Sequence, residues 1–210
     1  MDSKRIKRKD HYEMTNEYWR KLFLQMDHAE LAERFHLKAD SSFLYIFFYD
    51  REYRIDKHSG IIEDVLVPQH PIDFNVRMSI FNLFHYSKKD AATCGRFIPF
   101  REVKGASPFA PAFVKSIAED LAKPFNGKAD LLKNACITLG GEAVAYGDVG
   151  YIIHAFDFMP VMLVFWDGDE DFTAQANLLF DADITDYVHE ETVCCIAGGL
   201  IQRLHEIAGI

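Results

Sequence analysis

Carboxylate side chains are concentrated in the stretch FWDGDEDFTAQANLLFD, residues 165–181. Its acidic residues are Asp167, Asp169, Glu170, Asp171 and Asp181. Carboxylate oxygens are the ligands that hard divalent cations such as Mg²⁺ and Ca²⁺ prefer in proteins. One interpretation is therefore a metal site held by Asp167, Asp169 and Asp181. The other is a solvated turn between two core segments, where water screens the repulsion between the carboxylates.

The first three acids of this stretch match the start of a calcium-binding EF-hand loop, but the rest does not. Phe172 stands where that loop needs glycine, and Leu178 stands where it needs a bidentate glutamate. An EF-hand is excluded, whereas a looser site for magnesium, manganese or calcium stays open, with Asp183 as a further ligand. Several carboxylates converge at this strand end, and the aromatic side chain of Trp166 lies directly before them. If the protein has a polar binding site, we therefore expect it here.

A catalytic site would need a general base, and the candidates are His154, Glu190 and Glu191. Strand alternation predicts that His154 shares an apolar face with Ile152, Phe156 and Phe158, while Asp157 points to the opposite face. His154 is then either a core histidine or a base without an orienting carboxylate. The sequence contains no Gly-x-Ser-x-Gly, P-loop or His-Glu-x-x-His motif, so no familiar nucleophile or metalloprotease signature supports an enzyme.

The last predicted helix carries two adjacent glycines, Gly198 and Gly199, beside an apolar stripe. A glycine inside a helix costs roughly 1 kcal/mol relative to alanine, so a close approach should offset it. That approach could be tight packing within the domain, a ligand, or a second copy of the chain. The third option predicts a homodimer formed through this helix face.

The elements that would position these residues follow from hydrophobic periodicity. Predicted helices cover residues 15–26, 27–36, 74–87, 107–122, 130–139 and a long stretch ending near Ile207, with Pro124 closing the fourth. Predicted strands cover residues 43–49, 53–55, 61–62, 143–146, 151–158, 161–166 and 177–180, with a turn at Asp50-Arg51. The predicted fold class is α+β: one domain with a mainly antiparallel sheet, central strands near 151–166, several packing helices and a long C-terminal helix.

Length and composition predict one globular domain, residues 15–210, preceded by a flexible basic tail, residues 1–14. The longest apolar run, 158–166, is far shorter than the roughly 20 residues of a membrane span. The basic N-terminus has no apolar segment behind it, unlike a signal peptide. We therefore expect a cytoplasmic protein that does not bind membranes.

Charge and cysteine content limit the partners and cofactors. Residues 134–202 contain 12 acidic residues and neither lysine nor arginine, so this half would repel a nucleic-acid backbone. The 4 cysteines form no Cys-x-x-Cys pair, which disfavours a cysteine-ligated zinc or iron–sulfur cofactor. We expect no cofactor, with a divalent cation as the open alternative, and an unknown small molecule or protein as partner.

The run MPVMLVFWDGDEDFTAQANLLFDADITDYVHEET, followed by a helix ending in QRLHEI, resembles an uncharacterised bacterial and archaeal family, domain of unknown function thirty-seven eighty-six. Weaker similarity extends upstream through LGGEAVAYGDVGY to the helix at 74–87. The resemblance implies no established activity. Some longer members look as if they carry an N-terminal iron–sulfur domain typical of anaerobes, whereas the first 93 residues here contain no cysteine.

Three functional interpretations follow from these observations. The leading one is a non-catalytic accessory or ligand-binding domain, acting in the anaerobic setting that the resemblance implies. The second is a divalent-metal-dependent hydrolase or transferase with an acidic site at 167–183 and Glu190, Glu191 or His154 as base. The third is a structural interaction module that uses the Gly198-Gly199 helix face. The candidate binding residues are Trp166, Asp167, Asp169, Asp181, Glu191 and His154.

Overall fold

The computed structural model describes the backbone of residues 2–210 and the side chains from residue 13 onward. The predicted flexible tail, residues 1–14, lies largely outside the described side chains, although the backbone is helical from Asp2. The division of the chain into a tail and a domain therefore stays a prediction.

Helices and strands alternate along the chain in blocks. The α-helices are α1 (Asp2–Phe23), α2 (His28–Arg34), α3 (Phe74–Tyr86), α4 (Ala110–Ser116), α5 (Lys123–Phe125), α6 (Ala129–Thr138) and α7 (Glu190–Ala208). The strands are β1 (Lys38–Ala39), β2 (Phe43–Phe48), β3 (Arg51–Asp56), β4 (Ile62–Asp64), β5 (Phe97–Pro99), β6 (Glu142–Ala143), β7 (Val149–Phe156), β8 (Met159–Trp166) and β9 (Gln175–Asp181). Short 3₁₀ helices lie at Phe100–Glu102, Ser107–Phe109 and Ile184–Asp186.

The strands form two antiparallel sheets rather than one. The first sheet has the order β1-β2-β3-β4, and the second has the order β5-β9-β8-β7-β6. β8 is the central strand of the second sheet, as its apolar residues on both faces predicted. The α+β class, the central strands near 151–166 and the long C-terminal helix are confirmed.

Tyr49 joins the two sheets and the last helix. Its peptide N–H donates to the carbonyl of Ala155 in β7 at 3.0 Å, and its hydroxyl donates to the carbonyl of Ile196 in α7 at 3.0 Å. Tyr49 and Asp50 both have positive φ, so they form the two-residue turn between β2 and β3. The turn predicted at Asp50-Arg51 is wrong by one residue, because Arg51 already pairs with Phe48 in the ladder.

Helices α3 and α7 pack against each other, and α1 packs against α3. Between α4 and α5 the helix widens into a π-helical segment, Ile117–Ala122. The prediction that Pro124 closes this helix is wrong, because helical backbone continues through Phe125. Within residues 2–210, no helix combines the length and the apolar character needed to cross a bilayer.

Candidate functional site

The acidic loop, residues 167–174, connects β8 to β9 and is tied to the protein through Asp167. One oxygen of its carboxylate accepts hydrogen bonds from the peptide N–H groups of Gly127 at 2.6 Å and Gly168 at 2.9 Å. Its own N–H donates to the carboxylate of Asp148 at 2.8 Å. A Cβ at Gly168 would lie 2.1 Å from the side-chain amide oxygen of Asn126 and 2.9 Å from the backbone nitrogen of Ala174, so the loop conformation requires glycine here. Asp167 thus has a positional role in the loop.

Asp169 makes the tip of the acidic loop. Its carboxylate accepts from the N–H groups of Asp171 at 2.9 Å and Phe172 at 2.8 Å, which is an Asx turn. The side chains of Glu170 and Asp171 are exposed. This geometry is that of a solvated turn. An open cleft of about 510 Å³ lies beside it, and Lys123 from α5 contributes to its lining.

Asp181 lies at the other end of β9 from Asp167 and Asp169. Because β9 spans Gln175–Asp181, this separation is roughly 20 Å at the rise of a strand. The structure therefore does not bring the predicted ligands Asp167, Asp169 and Asp181 together. Trp166 also remains at the acidic-loop end, with 37% of its surface exposed and its ring edge against Tyr146.

The Asp181 carboxylate is buried, with 1% of the residue exposed. It accepts from the N–H groups of Gly95 at 2.7 Å, Asp183 at 3.0 Å and Cys94 at 3.2 Å. Possible ligand atoms of Cys94, Asp181 and Asp183 lie within 4.8 Å of one another, so these residues form a cluster that could hold a metal. The backbone donors already account for the burial of Asp181 as an anchor of the loop before β5.

His154 is exposed, and the prediction that it occupies an apolar strand face is wrong. Alternation holds from Tyr151 to Ala155 and places His154 with Ile152 on the less buried face, and the β-bulge between His154 and Phe156 removes Phe156 from that face. Phe156 turns into the core, with 2% exposed. His154 and Asp157 line one small surface hollow, although no hydrogen bond joins them in the described part of the chain.

Glu191 lines a different concave region, which lies between α1, α3 and α7. This helical cleft has a volume of about 330 Å³. Its lining includes Trp19 of α1, Phe74, Asn82 and Tyr86 of α3, and Glu191 and Thr192 of α7. A mostly apolar pocket of this size with a few convergent polar groups is the usual form of a small-molecule site.

The floor of the helical cleft is a buried polar pair. Asn82 is 6% exposed and Thr192 is 4% exposed, and the Thr192 hydroxyl donates to the Asn82 amide oxygen at 2.9 Å. Within the described residues, the Asn82 amide nitrogen has no hydrogen-bond acceptor. Whichever way the amide is oriented, Thr192 satisfies only one of its two ends. The amide nitrogen is not among the fully buried atoms that lack a partner, so it is open to the cleft and can donate to a ligand there.

The walls of the helical cleft are aromatic. The rings of Trp19 and Tyr86 meet at an angle of 61°, with centroids 6.0 Å apart. The ring of His189 lies against Tyr86 at 5.3 Å, and His85 supports Trp19 from 5.3 Å. The two aromatic rings, which we call the aromatic corner, therefore form one side of the cleft lining.

The rim of the helical cleft is acidic. Burial raises the pKa of Cys195, which also lines the cleft, to about 12, and the charges of Asp73 and Glu191 contribute to that shift. Burial also raises the pKa of Tyr86, with Glu191 and Glu190 among the contributing charges. The thiol of Cys195 is thus protonated at neutral pH and is a poor nucleophile.

The two glycines of α7 contact side chains of the same chain. A Cβ at Gly199 would lie 2.6 Å from the ring of Phe48, and a Cβ at Gly198 would lie 2.7 Å from the Asn75 amide nitrogen. Packing within the domain therefore explains Gly199, whereas Gly198 contacts only the flexible side chain of Asn75. The homodimer through this face stays a prediction.

Sequence reasoning missed the helical cleft because its floor joins residues 110 positions apart. One local signal was present. Asn82 follows Met78 by four positions, so it lies on the largely apolar buried face of α3. A polar side chain at such a position needs a partner, and the search for that partner would have led to α7.

The chain matches the family model described as Domain of unknown function (DUF3786) over residues 27–203. No curated protein and no solved structure matches it. The matched range contains every strand of the described residues and the α3 and α7 walls of the helical cleft, but not Trp19. Because the match covers most of the chain, the protein belongs to the DUF3786 family.

Proposed function

We propose that the protein is a non-catalytic ligand-binding domain and that the helical cleft is its binding site. One observation carries the proposal: Asn82, 6% exposed, lines the floor of an aromatic cleft, and its amide nitrogen is open to the cleft with no acceptor among the described residues. A ligand that hydrogen-bonds this amide would complete the pair, and the aromatic walls would hold its apolar part.

The chemistry of the lining supports binding rather than catalysis. The nucleophile candidate in the cleft is Cys195, whose pKa of about 12 keeps it protonated. The imidazole of His189 is engaged in capping α7, where it accepts a hydrogen bond from the Glu191 N–H at 3.4 Å. Neither group has the arrangement of an activated nucleophile and its base.

A fragment screen read out at Trp19 tests the proposal. The starting protein is Trp166→Phe, which leaves Trp19 as the single tryptophan. The probes are small neutral, cationic and anionic aromatic fragments. Their binding is detected by ligand-observed NMR and by Trp19 fluorescence. We expect some fragments to bind and to change the Trp19 fluorescence. Cys195→Leu, which fills the cleft, should abolish that binding while the protein still melts cooperatively.

The matched control is Cys94→Leu, at an exposed cysteine outside the cleft, which should bind the same fragments. The proposal fails if no fragment binds. It also fails if the fragments that bind the starting protein bind the Cys195→Leu variant with the same affinity.

A further inference from the structure

The carboxylates at and near the helical cleft are those of Glu191, Glu190 and Asp73, and Glu190 also lies 3.4 Å from the His189 imidazole. Glu191 lines the cleft, and Glu190 and Asp73 act on its lining residues from nearby. Of the side chains that the structure describes, no lysine or arginine lines the cleft. The positive end of the α7 dipole, about half an elementary charge, also points here, but two glutamates in the first turn outweigh it.

The aromatic corner adds a second preference for positive charge. The faces of Trp19 and Tyr86 carry the negative part of the ring quadrupole, which attracts cations, and tryptophan does so best. Met78 and Phe74 complete an apolar lining. Such a surface favours a weakly hydrated organic cation over a metal ion, because an aromatic cleft cannot replace the water shell of a metal ion.

We infer that the helical cleft binds a small organic cation, whose charge lies between the Trp19–Tyr86 corner and the Glu191 carboxylate. This inference rests on the proposed function and specifies its ligand class. The cation could be a quaternary ammonium group or a planar cationic ring, since both are poorly hydrated and both fit aromatic walls. An acceptor atom elsewhere on the ligand would take the free hydrogen bond of Asn82.

The experiment compares isosteric probes of different charge on the full chain. Choline is set against its neutral carbon isostere dimethylbutanol, and N-methylpyridinium is set against toluene. Binding is measured by calorimetry and by Trp19 fluorescence in the Trp166→Phe background. In at least one pair, we expect the cation to bind with an affinity about tenfold higher than that of its neutral isostere. The pair with the larger ratio of affinities identifies the kind of cation.

Glu191→Gln keeps the shape of the side chain and removes its charge, so it should erase most of this cation preference. Glu102→Gln is the matched control, because Glu102 is exposed on a 3₁₀ helix and pairs with Arg101. The inference is overturned if neutral isosteres bind as tightly as the cations, or if Glu191→Gln leaves the preference intact. Binding of neutral fragments in the cleft would then preserve the proposed function, whereas no binding at all would remove both.

Discussion

At the scale of single residues, the Asn82–Thr192 pair is the least expected feature of the protein. Both residues lie on largely apolar buried helix faces, on which Ser79 of α3 is a further buried polar residue, and both are nearly inaccessible to solvent. A buried hydrogen bond contributes only about 1 kcal/mol net to the free energy of unfolding. A buried polar group left without its hydrogen-bond partner lowers that free energy by about 1–3 kcal/mol. An apolar pair of the same shape would therefore serve folding at least as well, and folding alone does not account for the polar pair.

We predict that Thr192→Val destabilises the protein by about 1–3 kcal/mol, because Asn82 loses its partner. The double variant Asn82→Leu/Thr192→Val should regain most of that stability, since both ends become apolar. Urea denaturation of the three proteins measures the effect. A double variant less stable than Thr192→Val would show that the pair is structural, and would weaken its assignment to ligand binding.

Asp181 is the predicted metal ligand whose hydrogen bonds can be described most fully. Its carboxylate is held by three peptide N–H groups, two from the loop before β5 and one from Asp183. Charged acceptors of this kind make strong hydrogen bonds without any cation.

We predict that Asp181→Asn lowers stability by about 1–3 kcal/mol, because the amide NH₂ places a donor against backbone donors. Asp183→Asn, at the exposed neighbour, should stay within about 0.5 kcal/mol of the original protein. Thermal melts should be the same in EDTA and with added magnesium, calcium, manganese or zinc. A melting shift of several degrees on adding a cation, lost in Asp181→Asn, would instead establish a metal site.

At the scale of elements, α7 is the helix on which packing and site depend together. Its first turn supplies Glu191 and Thr192 to the helical cleft, and its middle lies against the β2–β3 hairpin through Gly199. The hydroxyl of Tyr49 donates to its backbone in the same region. The position of the cleft wall is thus fixed by the contact between this helix and the hairpin.

We predict opposite outcomes for the two glycines of α7. Gly199→Ala would place a methyl group 2.6 Å from the buried Phe48 ring, so overpacking should cost about 1–3 kcal/mol. Gly198→Ala meets the end of the flexible Asn75 side chain, which can move, so the gain in helix propensity should leave it neutral or more stable by up to about 1 kcal/mol.

Chemical denaturation at several protein concentrations measures both variants. The loss in Gly199→Ala should not depend on concentration, because the contact lies within one chain. A concentration-dependent loss, together with a change in oligomeric state, would favour the homodimer interface instead.

Most elements could be predicted from the sequence because their signals are local. The capping residue Asp27, the apolar periodicity of α3 and the two-sided apolar run of β8 depend on neighbouring residues alone. The bulge after His154 has no such local signal, and it changed which side chains reach the surface. The separation of Asp181 from the acidic loop follows from the length of β9, which places two sequence-adjacent clusters at opposite ends of a strand.

At the scale of the whole molecule, the two sheets share one core. Phe48 of the first sheet lies against Phe156 of the second, with ring centroids 5.1 Å apart, and the Tyr49 N–H donates to Ala155. The buried apolar residues of both sheets and of α3 and α7 belong to a single cluster. A shared core of this kind favours cooperative unfolding, because neither sheet can separate without exposing apolar surface.

We predict that the described chain unfolds in one transition, and the two tryptophans allow a direct test. Trp166→Phe leaves Trp19 to report on the layer of α1 and α3, and Trp19→Phe leaves Trp166 to report on the end of β8 in the second sheet. The two fluorescence transitions in urea should share one midpoint with the loss of helical circular dichroism, after correction for the stability of each variant. Two separate midpoints would mean that the helical layer and the second sheet unfold independently, and the helical cleft would then belong to a separately folding unit.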